Sequence, residues 1–542
     1  MSQAERKSET SEHLDAEVVI IGAGFAGIRA LLEMRKRGRT AKVFDAASDV
    51  GGTWYWNKYP GARTDSEAWA YCYAMSDELQ DDWVWPDRMP SQKHVQAYLS
   101  HVADRFDLRK DIQFNTQITG ASYDEDNRSW EIATKDGERF RSRYLISAMG
   151  WLSVANRPDF PGEDTFSGEI YRSSSWPDHD VDFSNKRVGI IGSGSTAVQM
   201  LPIVARLADH VKLFQRTPNY VLPSRNRPLD EHDRASLAKE REENWSLVRQ
   251  QVFAFPMVTS ERVFDSVDDA EREKIFEAGW EAGGFRFLFE TFGDILVDER
   301  SNAAAADFIR RRIRAIVKDP KTAELLCPDY PFALKRPPLG SHYFEAFNRD
   351  NVELVDVSTQ AIKKITESGL VAGGGHHDLD MIIFATGFDA VTGPMMAVDV
   401  KGRGGVSIRD KWAAGPQTYL GLMTDQFPNM FIMTGPQVPF ANLPPIAETS
   451  AVWIADLMDS VSDKGGVAAE PRAEAVQGWV DTVNATLDAT LLGGGAELRS
   501  WFMGANIPGK VQTPLFYFGG AGAFFDQMEQ VSRDGFVDIK IS

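Results

Sequence analysis

Cysteine is almost missing from this sequence: two among 542 residues, Cys72 and Cys327. They are far apart and belong to no spaced motif, so no disulfide framework, zinc site or redox Cys-x-x-Cys can be built from them. That suits a reducing compartment, and a cytoplasmic location is the expectation. Long apolar runs are missing too. No stretch approaches the roughly 18 apolar residues a membrane-spanning helix needs, and residues 1–16 lack the apolar core of a signal peptide. Residues 1–15 read instead as a disordered lead-in. Basic residues are in deficit, 59 Lys and Arg against 78 Asp and Glu, leaving a formal charge of −19. Nucleic acid and anionic membranes would repel such a chain, and neither is expected as a partner.

What remains is the composition of a folded protein, 43% hydrophobic and 25% charged, long enough for roughly three or four domains. Two glycine-rich turns carry most of its information. The first reads Glu17-Val-Val-Ile-Ile-Gly22-Ala-Gly24-Phe-Ala-Gly27 and the second Arg187-Val-Gly-Ile-Ile-Gly192-Ser-Gly194-Ser-Thr-Ala197. Each runs from an apolar strand into a helix, and each would set a pyrophosphate on a helix N-terminus, where free N–H groups meet its charge. The strands after the two turns differ. Ala41-Lys-Val-Phe-Asp45 ends on an acid suited to ribose hydroxyls, as in FAD and NAD sites. Its counterpart, Val211-Lys-Leu-Phe-Gln215, loses the acid and gains Arg216, which suits the 2′-phosphate of NADP. One chain with FAD and NADPH implies a flavoprotein that passes hydride between them.

The predicted fold is α/β, two Rossmann-like dinucleotide-binding domains with a helical insertion in the second. A helix over 92–106 leads into strands at 111–119 and 130–134, then into Tyr144-Leu-Ile-Ser-Ala-Met-Gly150. Residues 16–150 and 385–542 are assigned to the FAD domain, and 151–228 and 330–384 to the NADP domain. Residues 229–329, helical in period and dense in Glu and Arg, form the insertion. Strand signals return at 352–357, 361–366 and 381–384, with a further core strand in 427–435.

Three segments carry candidate chemistry. The loop Gly51-Gly-Thr-Trp54-Tyr-Trp56-Asn-Lys-Tyr59-Pro-Gly-Ala-Arg63-Thr-Asp65 makes an aromatic wall for a flat ring and sets one acid within it. Ala333-Leu-Lys335-Arg336-Pro-Pro places two cations before a stiff proline pair. Ser500-Trp501-Phe-Met-Gly is a loop led by tryptophan.

Taken with Phe166-Ser-Gly168-Glu-Ile-Tyr-Arg172-Ser-Ser-Ser-Trp176-Pro177 and Phe384-Ala-Thr-Gly387-Phe-Asp389, these segments resemble the type I Baeyer–Villiger monooxygenases. The likeness runs from residue 17 to the C-terminus and is nearest the cyclohexanone, phenylacetone and steroid branches. It implies an FAD-, NADPH- and O2-dependent enzyme that turns hydrophobic cyclic or linear ketones into esters or lactones through a peroxyflavin anion. By the same resemblance Arg336 is the catalytic cation that keeps this anion unprotonated, and Asp65 pairs with it. The implied cofactor-binding set is Gly22, Gly24, Gly27, Asp45, Thr53, Trp54, Asp65, Gly192, Gly194, Ser195, Thr196, Gln199, Arg216, Thr217, Lys335 and Trp501. Phe440, Leu443, Trp501 and Phe516 are expected to wall the substrate pocket. No metal and no obligatory protein partner are expected.

One residue departs from the pattern. Arg172 stands where the family's long fingerprint has histidine, near the hinge between the nucleotide domains. Arginine donates hydrogen bonds but cannot accept one and stays charged, which puts tight coupling of NADPH use to product in question. Two other readings stay open. One is a flavin monooxygenase that oxidises nitrogen or sulfur through the hydroperoxyflavin. The other is an uncoupled NADPH oxidase or redox sensor.

Overall fold

The computed structural model describes residues 14–542, so the expected lead-in lies outside the described residues except for its last two positions. The first glycine motif folds as β1 (Ala16–Ile21), a turn, a helix (Phe25–Lys36) and β2 (Ala41–Phe44). Val18, Val19 and Ile20 are fully buried, as a strand covered on both faces requires. The sheet continues through β3 (Ile112–Gln113), β4 (Ile118–Asp124), β5 (Ser129–Thr134) and β6 (Arg139–Ser147). Its order is Asp399–Lys401, β4, β5, β6, β1, β2, β3, with Met430–Ile432 also paired to β6. The segment 111–119, read as one strand, is two. Asn115 takes a left-handed backbone, φ +54°, and breaks it, so β3 extends one edge of the sheet while β4 crosses to the far side.

The second sheet is smaller and wholly parallel: Val352–Asp356, β9 (His210–Gln215), β8 (Arg187–Ile191), Met381–Phe384 and β7 (Glu169–Arg172). A separate three-stranded antiparallel layer over 364–378 packs against it through Ile365, Leu370 and Ala372, and strand periodicity showed only its start. The glycine run at 373–375 supplies that layer's tight turn. Gly373 and Gly374 both have positive φ between paired Ala372 and Gly375, the two-residue hairpin that needs no Cβ.

Residues 229–329 contain no strand. Six α-helices, from Glu231–Lys239 to Pro320–Leu326, and one short 3-10 turn (Phe264–Ser266) fill them. Asp230, Asp268, Asp298 and Asp319 cap four of these by accepting from backbone amides of the first turn, which satisfies donors that would otherwise be orphaned. The chain crosses between the sheets twice, and the crossings are tied together. Asn156 donates its backbone N–H to Gly387 O (2.9 Å), Asp389 donates to Val154 O (2.9 Å), and Thr386 Oγ1 donates to Asn156 O (2.8 Å).

Candidate active site

Both glycine turns open onto one cavity of about 1050 Å³. Their geometry shows why glycine is needed. Gly22 (φ +107°) and Gly192 (φ +119°) end equivalent strands, and a Cβ on either would lie 2.5 and 2.4 Å from the carbonyl oxygens of Ala148 and Ala385. The helices after these turns have no side-chain cap at Gly24 or Gly194, unlike the four Asp-capped helices of the insertion. Gly24, Phe25 and Ala26 of the first and Gly194, Ser195 and Thr196 of the second line the cavity, and an uncapped helix start beside a cavity is the arrangement that holds a pyrophosphate. The two turns therefore fit two dinucleotides.

On the first side, Asp45 accepts from Ala23 N (2.6 Å) through one oxygen and from Ala47 N (2.7 Å) through the other. Burial pushes its carboxyl above the ordinary value, against the pull of these amides. Each oxygen keeps a lone pair for a ribose hydroxyl. The loop at Gly51 packs directly on the turn, since a Cβ on Gly52 would lie 2.9 Å from Gly24 Cα. Thr53 and Trp54 begin a single helical turn (Thr53–Trp56) at the cavity wall, and Trp54 Nε1 donates to Tyr71 Oη (3.2 Å). Gly27 does not reach the cavity. It lets the helix close on the turn, for its Cβ would stand 1.7 Å from Gly22 O.

On the second side Gln215 turns away from the cavity. Its amide donates to Leu325 O (2.8 Å) in the insertion, so the position of the lost acid is filled by an inward-facing side chain. Arg216, Thr217, Ser195, Thr196 and Gln199 all line the cavity. Gln199 also ties the two halves together. Tyr59 Oη donates to its Oε1 (3.0 Å), and its Nε2 donates to Arg63 O (3.2 Å). Spacing along the chain gives no sign of this role for Tyr59, because its partner is 140 residues away.

Arg336 hangs between the halves. It is ion-paired with Asp65, and its Nη2 donates to Ser195 Oγ (2.5 Å) at the first position of the second helix. Asp65 and Arg336 are 16% and 23% exposed, which leaves their attraction only partly screened. The second Asp65 oxygen is buried and has no partner. The turn that presents Lys335 and Arg336 is held from beneath: Asn302 accepts from Phe332 N (2.8 Å) and donates to Phe332 O (3.0 Å). Ala333 in it has φ +68°, a strained backbone kept by that clamp.

Phe440, Leu443 and Trp501 line the apolar end of the cavity. Phe516 does not. It is fully buried one layer back, edge-on to Trp501 (5.3 Å) and Phe440 (5.2 Å), and buttresses both. Phe502 and Phe518 take its place, joined by Phe253, Phe255, Phe285 and Leu288 from the insertion. Those four carried no sequence signal, because only the folded insertion brings them to the cavity.

Arg172 ends β7, half-buried. It pairs with Glu163, and its guanidinium lies 4.8 Å from the centre of the Phe384 ring, where the chain starts its second crossing. Among the described residues no cluster of His, Cys, Asp and Glu could hold a metal ion, and no helix is long and apolar enough to cross a membrane.

This geometry has counterparts among known proteins. A family model described as FMO-like, flavin-binding monooxygenase-like, matches residues 15–230. A Baeyer–Villiger monooxygenase of Pseudooceanicola batsensis is 43% identical over 528 residues, 97% of this chain and 96% of its own. Phenazine N-monooxygenase PhzNO1 of Lysobacter antibioticus is 41% identical, with 97% of each chain covered. The crystal structure of cyclohexanone monooxygenase from Rhodococcus sp. Phi1 bound to NADP+ matches with a TM-score of 0.94 at 40% identity. That match covers 97% of this chain and 99% of the other.

Proposed function

Because this chain belongs to the Baeyer–Villiger monooxygenases, a branch of the flavin-binding monooxygenases, we propose that it acts on hydrophobic cyclic or linear ketones, with Arg336 as catalytic cation and Asp65 orienting it. The reaction is NADPH- and O2-dependent insertion of one oxygen atom beside a carbonyl, giving an ester or lactone. Bound beside the first glycine turn, Asp45 and the 51–65 loop, FAD would supply the ring for O2 activation, with NADPH as reductant.

The observation that carries the reading is Arg336, held by Asp65 on one side and Ser195 on the other. Oxygen transfer to a ketone places negative charge on the attacking oxygen and on the former carbonyl oxygen. A fixed guanidinium in a partly dry cavity stabilises both, and it does not release a proton that would quench the nucleophile. Asp65 is expected to act only through Arg336. In Asp65→Ala, ester formed per NADPH should fall about tenfold, since the cation remains but loses its orientation. Asp65→Asn should recover part of it by keeping an acceptor. Unchanged ester yield in both would remove Asp65 from the mechanism.

The sheet memberships support 16–150 and 385–542 as the FAD-binding domain, 151–228 and 330–384 as the NADP-binding domain, and 229–329 as the insertion. Arg216, Thr217 and Lys335 serve the 2′-phosphate. Burial, then the charges of Arg216 and Arg499, lower the Lys335 ammonium to about 8. Below that value Lys335 is charged and helps the phosphate; above it the free enzyme loses that charge. The KM for NADPH should therefore rise as pH climbs through about 8, whereas NADH, without the phosphate, should show no matching step. Parallel profiles for both coenzymes would remove Lys335 from the phosphate site.

We read Arg172 as acting on the hinge through the crossing that follows Phe384, its cross-strand neighbour; its other partner, Glu163, belongs to the same domain. Arg172→His breaks the permanent ion pair, and we expect less hydrogen peroxide released per NADPH with a good ketone present. Identical ratios in both proteins would leave Arg172 a local structural contact.

A second reading, oxidation of a ring nitrogen, draws on the Lysobacter relative. The fixed Asp65–Arg336 pair weighs against it, because an electrophilic oxygen must keep its proton. Product mass after incubation with cyclohexanone and with phenazine decides between them. A cytoplasmic setting is part of this reading, in keeping with two thiols that form no disulfide.

A further inference from the structure

Three cations line one region of the cavity with no anion among them. Arg216 follows β9, Lys335 stands beside Arg336, and Arg499 comes from the C-terminal part of the chain; all three line the cavity. Among the described residues, no carboxylate or hydrogen-bond acceptor meets any of the three side chains. The Lys335 ammonium has only the Tyr330 ring, 5.6 Å away. Elsewhere on this acidic chain exposed arginines find acids readily, as Arg314 finds Glu324 and Arg187 finds Asp380. The turn that leads to Arg499 packs on the residue before Lys335, since a Cβ on Gly495 would lie 3.4 Å from Leu334 O. Consistent with that closeness, burial first and then the charge of Arg499 lower the proton affinity of Arg216, and burial, then Arg216, then Arg499 lower that of Lys335. Assembling like charges without a counter-ion is unfavourable unless a ligand brings one.

The backbone at Arg499 points the same way. Its φ is +54°, a conformation that disfavours any residue with a Cβ. Three glycines stand just before it at 493–495, yet position 499 carries a long cation. Ser500 comes next, buried and bonded in both directions: its N–H donates to Gly495 O (2.9 Å) and its hydroxyl accepts from Phe502 N (3.4 Å). Trp501 is its neighbour. Arg499 and Trp501 are thus two ends of one rigid step.

We propose that Arg499 is a third ligand of the coenzyme's 2′-phosphate, closing a cradle with Arg216 and Lys335, and that this contact fixes the loop from which Trp501 enters the cavity. The proposal rests on the reading of Arg216 and Lys335 as the NADP phosphate site. It makes coenzyme choice depend on a residue outside the NADP-binding domain, and it makes the placement of Trp501 depend on the coenzyme's phosphate.

The test uses the FAD-loaded enzyme, with adenosine 2′,5′-bisphosphate as probe and 5′-AMP as the control lacking the 2′-phosphate. Arg499→Ala should weaken competition by the bisphosphate about tenfold, and the NADPH-over-NADH preference should fall by a similar factor. Arg499→Lys should recover most of both. Salt should weaken bisphosphate binding less steeply in Arg499→Ala, a signature that a merely structural role would not produce. The bisphosphate should also protect residues 490–510 from limited proteolysis in the unaltered enzyme and fail to do so in Arg499→Ala. If Arg216→Ala weakens the bisphosphate and Arg499→Ala does not, the third ligand is refuted and the phosphate site stands. If neither substitution weakens the bisphosphate relative to 5′-AMP, the phosphate site itself is refuted. Equal protection in both proteins would overturn the coupling to Trp501.

Discussion

Arg336→Ala should be reduced by NADPH at nearly the normal rate and yet form ester about a hundred- to a thousandfold more slowly, the loss typical of removing one preorganised charge stabiliser. The two half-reactions separate because they ask different things of the site. Hydride transfer needs the two rings in register, a matter of geometry and not of the Arg336 charge. Oxygen transfer needs positive charge where negative charge develops, and Arg336 is the cation that Asp65 and Ser195 hold in place. Stopped-flow bleaching of the flavin without oxygen measures the first step, and ester by mass spectrometry with oxygen measures the second. Arg336→Lys should fall between, since a lysine keeps charge but cannot reach both partners in the fork geometry. Ester at the normal rate in Arg336→Ala would end the assignment.

Gly27→Ala should yield protein with little or no bound FAD and a clearly lower melting temperature. The added carbon would stand 1.7 Å from Gly22 O, and the atom it meets is backbone, so the turn or the helix must move. Overpacking of this kind costs about 1–3 kcal/mol. Losing a cofactor bound at a thousandfold excess over its Kd removes about 4 kcal/mol more. The second turn supplies the control. Ala197 occupies the equivalent place, fully buried, and Ala197→Gly should cost only the roughly 1 kcal/mol of a glycine within a helix. Near-normal FAD content in Gly27→Ala would show that the first turn tolerates the alanine that the second carries at Ala197.

Much of the site is readable before folding because its signals are local. A turn that needs positive φ at Gly22 and Gly192 writes that need into the residue itself. The same holds for the acid at Asp45, the aromatic loop from Gly51, and the proline pair that stiffens the chain after Arg336. All of these features meet around one cavity. Residues 111–119 show the limit of such signals: their alternation reads as one strand, and a single left-handed Asn115 divides it.

By itself, then, the sequence determined two nucleotide-binding turns, the order of the elements around them, and which short segments carry unusual chemistry. Such properties depend on a few adjacent dihedral angles and side chains. Tertiary structure alone decided that Ser195 grips Arg336, that Gln215 faces the insertion, that Phe516 stands behind the pocket wall, and that Arg499 joins Arg216 and Lys335. Ser195 and Arg336 are 141 positions apart, and Gln215 and Leu325 are 110 apart. Meetings over such separations are set by how buried faces pack, not by the spacing of residues along the chain.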